Sequence, residues 1–528
     1  MGVGALTRRQ RPIGGRAWGV GAVVAAVVVA GPLVVLPLSF FGRADTADVV
    51  RDILPQAVSR SLVLALGVAI GTLLIGGSLA VLLSFYDFPG RRFLEWAVVF
   101  PLGMPAYILT FVLLGQYDER FLRDLGIPIT LPEIRSAWGA IAVLSLVLYP
   151  YVYMLGRTAF LNQAPHLLEA ARSLGHSHLR SIIRVALPLA RPALAAGVSL
   201  AVMEALADFG AVNLLGYRAL PDAIYRVWYG AFDRQAALQL GAVLLGLVTV
   251  MILVERASRR RSTTLTTMRG GAPIRKRLRS WRAALAFALP TLLLLGVVVA
   301  PVVQLVRWAI DGIRNGTYDA TLVTNVRNSV LLALMTSALT VIIAVVTIFA
   351  VRLAPTRTRR LSMRAATLGY AVPGSVAAAG VFIVADGLGR LVGTVLTASL
   401  AALVVAFCVR FTTLAIQSGE SRMDSLPRSL DDAARSLGAG PARVLGEVHL
   451  PLLLPALATG AALVFVEVVK ELPATALLRP FGLDTLPIAV WEATKESLYE
   501  TASLPALLLL VVSMVPVAFL VRRSPGSR

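Results

Sequence analysis

The chain has 528 residues, of which 57% are hydrophobic and only 15% charged, and that balance excludes a soluble globular protein of this length. A formal charge of +21 would suit nucleic acid, but the arginines gather between apolar stretches and only three lysines occur (Lys276, Lys470, Lys495), so the charge is read as membrane topology and lipid-headgroup contact, with no nucleic-acid partner. Apolar runs of about 20 residues span a hydrocarbon core of about 30 Å, and about twelve such runs are present. The fold class is an all-α polytopic membrane protein. The single cysteine, Cys408, lies inside an apolar run and reads as a small buried hydrophobe.

The first run, 18–40, follows Arg8, Arg9, Arg11 and Arg16. It is too long for a signal-peptide core and is expected to be an uncleaved first span with its basic flank inside. Further spans are expected at 59–85, 94–115, 137–156, 192–213 and 235–254. Residues 255–282 then hold ten basic residues against one acid, a cytoplasmic linker. Spans at 283–306, 327–351, 365–385, 393–416, 456–477 and 502–521 complete the series. Arg357, Arg359, Arg360 and Arg364 mark an inside loop, and Arg522 and Arg523 an inside C-terminus.

The two sets of six repeat one another. Glu169-Ala-Ala-Arg-Ser-Leu-Gly175 recurs 263 residues later as Asp432-Ala-Ala-Arg-Ser-Leu-Gly438, and Leu187-Pro188 recurs as Leu450-Pro451. Glu204 aligns with Glu467 and Trp228 with Trp491 at the same offset. Ser61 aligns with Ser329, and Pro105 with Pro373, at an offset of 268. The division is therefore 1–264 and 265–528, two parallel six-helix repeats of like orientation.

The repeated signature falls in the loop between the fourth and fifth spans of each half, within 157–190 and 417–453. Ala-Ala-Arg-Ser-Leu favours helix and Gly ends one. The acid complements the dipole of the first turn, and Leu-Pro marks a break before the next span. A short helix across the membrane surface results, with a small-residue face that lets a partner come close. A helix that merely capped the bundle would not need the same Gly and Leu-Pro registers twice.

Glu169-Ala170-Ala171, Gly175, Val185 and Leu187-Pro188, with Asp432-Ala433-Ala434, Gly438, Val448 and Leu450-Pro451, resemble the coupling-loop signature of ABC importer permeases that work with a substrate-binding protein. The resemblance covers nearly the whole chain. It implies the type I importer permease fold, with the signature helix docked in a groove of an ATP-hydrolysing subunit. No Gly-Lys dipeptide and hence no P-loop occurs, so the chain is no enzyme and has no cofactor of its own. ATP and Mg are expected in two copies of a separate ATPase. One copy of this chain is expected to form the whole translocation unit in a bacterial cell membrane. Fused halves, together with Pro101–Tyr107, Ala207-Asp-Phe-Gly210, Lys470–Thr475 and Leu478-Arg-Pro480, look like the ferric-iron permeases, to which thiamine and aminoethylphosphonate permeases are related.

The residues argue separately for a cation. Glu204 and Asp208, and their mates Glu467 and Glu471 beside Lys470, are spaced i, i+4 and so share a helix face. They lie about 18 Å and 24 Å from Pro192 or Pro455 at 1.5 Å per residue. Acids at such depth face a water-filled path or a partner. Four of them would suit a hard cation without holding it tightly. The same acids would also serve to pair with Lys470, Arg410 or Arg218 and fix helix packing, or to relay protons in an ion-coupled secondary carrier. His176 and His178 are expected as surface polar residues at the ATPase interface rather than metal ligands. Tyr225, Trp228, Tyr229 and Trp491 fit an interfacial aromatic belt, and Arg226 and Asp233 are ordinary loop charges.

Overall fold

The computed structural model describes residues 15–41, 47–116, 133–162, 171–260, 275–318, 320–369 and 372–523. Among the described residues ten helices are long and apolar enough to cross a membrane, or eleven if the bent pair Arg91–Gly103 and Ala106–Gln116 is one span, against about twelve expected; the apolar helix Tyr499–Met514 at the place of the last expected span is shorter. The first half comprises α1 (Gly15–Val35), α2 (Ala47–Phe85), α3 (Arg91–Ala97), α4 (Ala106–Gln116), α5 (Ala137–Leu161), α6 (His178–Ala207), α7 (Gly210–Leu214), α8 (Leu220–Tyr229) and α9 (Arg234–Arg260). The second comprises α10 (Ser280–Arg314), α11 (Thr321–Leu353), α12 (Arg357–Ala366), α13 (Gly374–Val392), α14 (Leu400–Asp424), α15 (Ser429–Ser436), α16 (Pro441–Val469), α17 (Pro473–Leu478), α18 (Leu486–Lys495) and α19 (Tyr499–Arg523).

The third span is not one helix in either half. Residues 91–116 turn through 88° between α3 and α4, and α12 is separated from α13. Pro105 and Pro373 stand at the two breaks, where a missing N–H removes a helical hydrogen bond and favours a kink or a stop. The arginines of α12 therefore belong to a separate short helix rather than to an irregular loop.

Leu187-Pro188 and Leu450-Pro451 do not break the chain, contrary to the expectation above. Each follows a π-helical turn, Ile182–Ala186 and Val444–His449, inside a continuous helix. Leu295–Val299 precedes Pro301 in α10 in the same way. The wider turn makes room for a proline ring that would otherwise strike the carbonyl four residues back.

Serines at repeat-related positions start helices. Ser136 and Ser399 cap α5 and α14, accepting from Gly139 N and Ala402 N. Ser61 and Ser329 act across the bundle: their hydroxyls accept from the backbone N–H of Leu220 and Leu486, at 2.9 and 2.8 Å, and so hold the first turns of α8 and α18. Each N–H is buried without another route to water, so Ser61→Ala and Ser329→Ala should each cost about 1–2 kcal/mol, close to additively, in thermal unfolding of the detergent-solubilised protein.

The halves interlock through their first spans. α1 packs against α11, α12, α13 and α14, all of the second half. Trp18 meets Phe349 edge-on at 4.9 Å, and Gly380 lies so close to α1 that a Cβ there would stand 2.4 Å from Pro32 O. Reciprocally, Ala286 and Leu294 of α10 join the cluster of Phe85, Phe88 and Leu94 in the first half. Two short strands, β1 (Tyr86–Asp87) and β2 (Lys276–Arg277), pair in parallel and tie the chain before α10 to the end of α2.

Candidate functional site

At one end of the bundle lie the repeated signatures. Glu169 and Ala170 fall outside the described residues. Ala171 is buried, as its mate Ala434 partly is, while Ala433 faces solvent. Gly175 has φ +87 and Gly438 φ +81, left-handed conformations that glycine adopts without cost. The closing bonds are the same in both copies. Gly175 N donates to Arg172 O and His176 N to Ala171 O; Gly438 N donates to Arg435 O and Ala439 N to Ala434 O. This is the Schellman cap expected of a helix ended by glycine.

The cap projects one leucine from each loop: Leu174 is 82% exposed and Leu437 87%. These two were missed in the sequence, although their identical place before each glycine was visible there. Asp432 is solvent-exposed, with Arg435 at 3.9 Å. His178 does not stand free: its ring packs edge-on against Tyr86 at 5.2 Å, while His176 is half-buried.

The acids form a second constellation. The i, i+4 face expected for each pair does not exist, because α6 ends at Ala207 and α16 at Val469, before Asp208 and Glu471. Asp208 Oδ1 instead accepts from Ala211 N at 2.8 Å, starting α7, and Glu471 Oε1 accepts from Ala474 N at 3.1 Å, starting α17. A carboxylate that ends one helix and caps the next explains why Ala207-Asp-Phe-Gly210 and Lys470-Glu-Leu-Pro473 occupy equivalent places.

Arg410, midway along α14, pairs with Glu471, and its Nη2 stands 3.8 Å from Glu204 Oε2 across the boundary between the halves. Lys470 Nζ donates to Glu467 Oε1 at 3.2 Å. Arg218 is exposed. Two of the three bases weighed as partners therefore do pair with the acids. Gly374 adjoins this group, leaving no room for a side chain: a Cβ would lie 2.1 Å from Glu471 Oε1. The hydroxyls of Tyr107 and Ser375 are buried nearby in sequence-equivalent positions, with no hydrogen-bond partner among the described residues. Among the described residues no three His, Cys, Asp or Glu side chains converge as metal ligands would. Arg410 stands between Glu204 and Glu471, while Lys470 pairs with Glu467.

The aromatic set is not a lipid-facing belt. Tyr225 and Phe209 of the first half pack on Trp491 of the second at 5.2 and 5.5 Å, and Trp228 on Phe382 at 4.7 Å. Trp491 Nε1 donates to Asn213 Oδ1, and Tyr229 OH to Ala476 O. The repeat brings α8 and α18 against the opposite half, so rings that look amphipathic in sequence fill the joint between halves. Arg226 stands 3.8 Å from Asp222, and Asp233 caps α9 by accepting from Ala236 N.

Two stretches of the chain, residues 72–263 and 345–524, match the family described as the binding-protein-dependent transport system inner membrane component. The chain belongs to that family. It is a transport permease rather than an enzyme, a multi-pass inner-membrane protein whose family works with an ATPase and a substrate-binding protein. The Fe(3+)-transport system permease protein FbpB 2 of Haemophilus influenzae is 27% identical over 476 residues, 89% of this permease and 90% of its own length. A probable molybdenum ABC transporter permease of Haloferax volcanii is 32% identical over 40% of this permease and 77% of itself. The sulfate transport system permease protein CysT of Salmonella typhimurium is 29% identical over 43% and 86%. Relatives of the latter kind are about the length of one half, so the duplicated permease contains in one chain what they carry singly.

Proposed function

We propose that this permease imports ferric iron delivered by an extracytoplasmic binding protein. Similarity to the Fe(3+)-transport permease along both halves carries this reading. The intramembrane charges support it: Glu204, Asp208, Glu467 and Glu471 outnumber Arg410 and Lys470, so a path along them favours a cation. The ion is cargo, passed along and released.

In this reading the signature end is cytoplasmic, as are both termini and the linker 255–282. Residues 1–264 and 265–528 each present one coupling loop, and one chain makes the translocation unit. Two copies of the ATPase hold ATP and Mg and seat beneath Ala171–Gly175 and Asp432–Gly438, with Glu169 and Ala170 completing the first contact. Closure of the ATPases moves Leu187-Pro188 and Leu450-Pro451 with the spans they begin. The acids at the far ends of α6 and α16 are then exposed alternately to the two sides.

A second reading is an oxyanion importer, favoured by the molybdenum and sulfate relatives. Proteoliposomes holding the permease, its ATPase and its binding protein, with ATP and Mg sealed inside, separate the two. Ferric iron, molybdate and thiamine are offered singly. ATP-dependent accumulation of iron is expected. Accumulation of molybdate or thiamine alone would keep the machine and discard the ion. Uptake driven by a proton gradient without ATP would discard both.

A further inference from the structure

The second signature helix is fastened to the bundle by a buried ion pair and a buried histidine that have no ionisable counterpart at the matching positions of the first half. Asp431, the residue before the signature, points inward from α15 and is buried. Arg352 in the last turn of α11 reaches its Oδ2 from Nε at 2.8 Å and from Nη2 at 2.7 Å. His449, fully buried at the end of the π turn of α16, places Nε2 2.5 Å from Asp431 Oδ1. Arg352 Nη2 also donates to Leu426 O and Pro427 O, both at 3.1 Å, in the segment joining α14 to α15. Phe349, one helical turn before Arg352, packs edge-on against the His449 ring.

The residues at the matching positions of the first half are Ser84, Leu168 and Ala186. None of them ionises, so the repeat that duplicates the signature does not duplicate these three contacts. Buried charge pairs resist small displacements because separating them leaves each charge without water or partner. A push on α15 therefore moves α11 and α16 with it, and α16 carries Glu467 in its last turn and leads directly into Lys470 and Glu471.

We infer that Arg352, Asp431 and His449 are positioning residues that lock the second signature helix to α11 and α16, so that the two loops transmit ATPase closure unequally and the second is the rigid lever. This rests on the reading of the signatures as ATPase-coupling loops.

The test gives the second half the residues of the first. The triple variant Arg352→Ser, Asp431→Leu, His449→Ala removes all three partners and strands no charge. It is assembled with the ATPase and binding protein in proteoliposomes. We expect the ATPase to co-purify as with the parent, while ATP hydrolysed per ion imported rises about fivefold or more. The same variant with an unchanged ratio would overturn the proposal. If the triple variant is lost from the membrane, His449→Gln and His449→Leu decide. Gln keeps a donor toward Asp431 and should retain the parental ratio, whereas Leu should raise it; equal ratios would overturn the lever. Failure of the ATPase to bind even the parent chain would instead remove the coupling-loop reading, and the lever with it.

Discussion

Replacing Arg410 with methionine should destabilise the permease by about 3–5 kcal/mol, because Glu471 would be left charged and unpaired in the bundle. Glu471 is only 4% exposed in its side chain and Arg410 10%, so water cannot take the place of the lost partner. The double variant Arg410→Met, Glu471→Gln should recover most of that loss. It removes both charges, and the glutamine oxygen still accepts from Ala474 N to begin α17. Thermal unfolding in detergent reads the first effect, and iron uptake in proteoliposomes reads the second. The double variant should fold yet fail to transport if the acids line the path. Normal uptake would reduce the group to helix packing.

Valine at both Gly175 and Gly438 should abolish uptake while leaving the permease folded in the membrane and the ATPase turning over. Among the described residues nothing lies within 4 Å of a Cβ at either position, so steric clash with them is not the cause. The cause is the backbone: φ values of +87 and +81 cost a β-branched residue about 1–3 kcal/mol, enough to reshape a surface turn but not a core. Leu174 and Leu437 would then point elsewhere. Asparagine, which tolerates the left-handed region, should keep most of the transport. Uptake by the double valine variant at the parental rate would sink the coupling assignment.

Much of this was legible in the sequence, because hydrophobic runs and a 263-residue self-similarity survive any local irregularity. The ten or eleven long apolar helices among the described residues and the two glycine caps follow from those signals alone. The breaks at Asp208 and Glu471 did not show, since a window of twenty apolar residues averages over a two-residue interruption and α7 and α17 are themselves apolar. The i, i+4 argument assumed an uninterrupted helix and failed for that reason. Leu-Pro read as a stop because proline alone cannot reveal a π turn upstream that admits it. The serines were visible as repeat-related residues, but a hydroxyl that caps a helix 159 residues away has no local signature. Arg352, Asp431 and His449 were invisible for the opposite reason. They break the repeat, their counterparts being Ser84, Leu168 and Ala186, so no self-similarity marks them.

The clasp of α1 by the second half has a consequence for biosynthesis. α1 leaves the ribosome first, yet its packing surfaces on α11 to α14 are made some three hundred residues later. At about 5–20 residues per second, α1 waits on the order of 15–60 s in the bilayer before its partners exist. Its apolar length lets it rest in lipid meanwhile, so insertion of the first half and its final assembly are separate events in time.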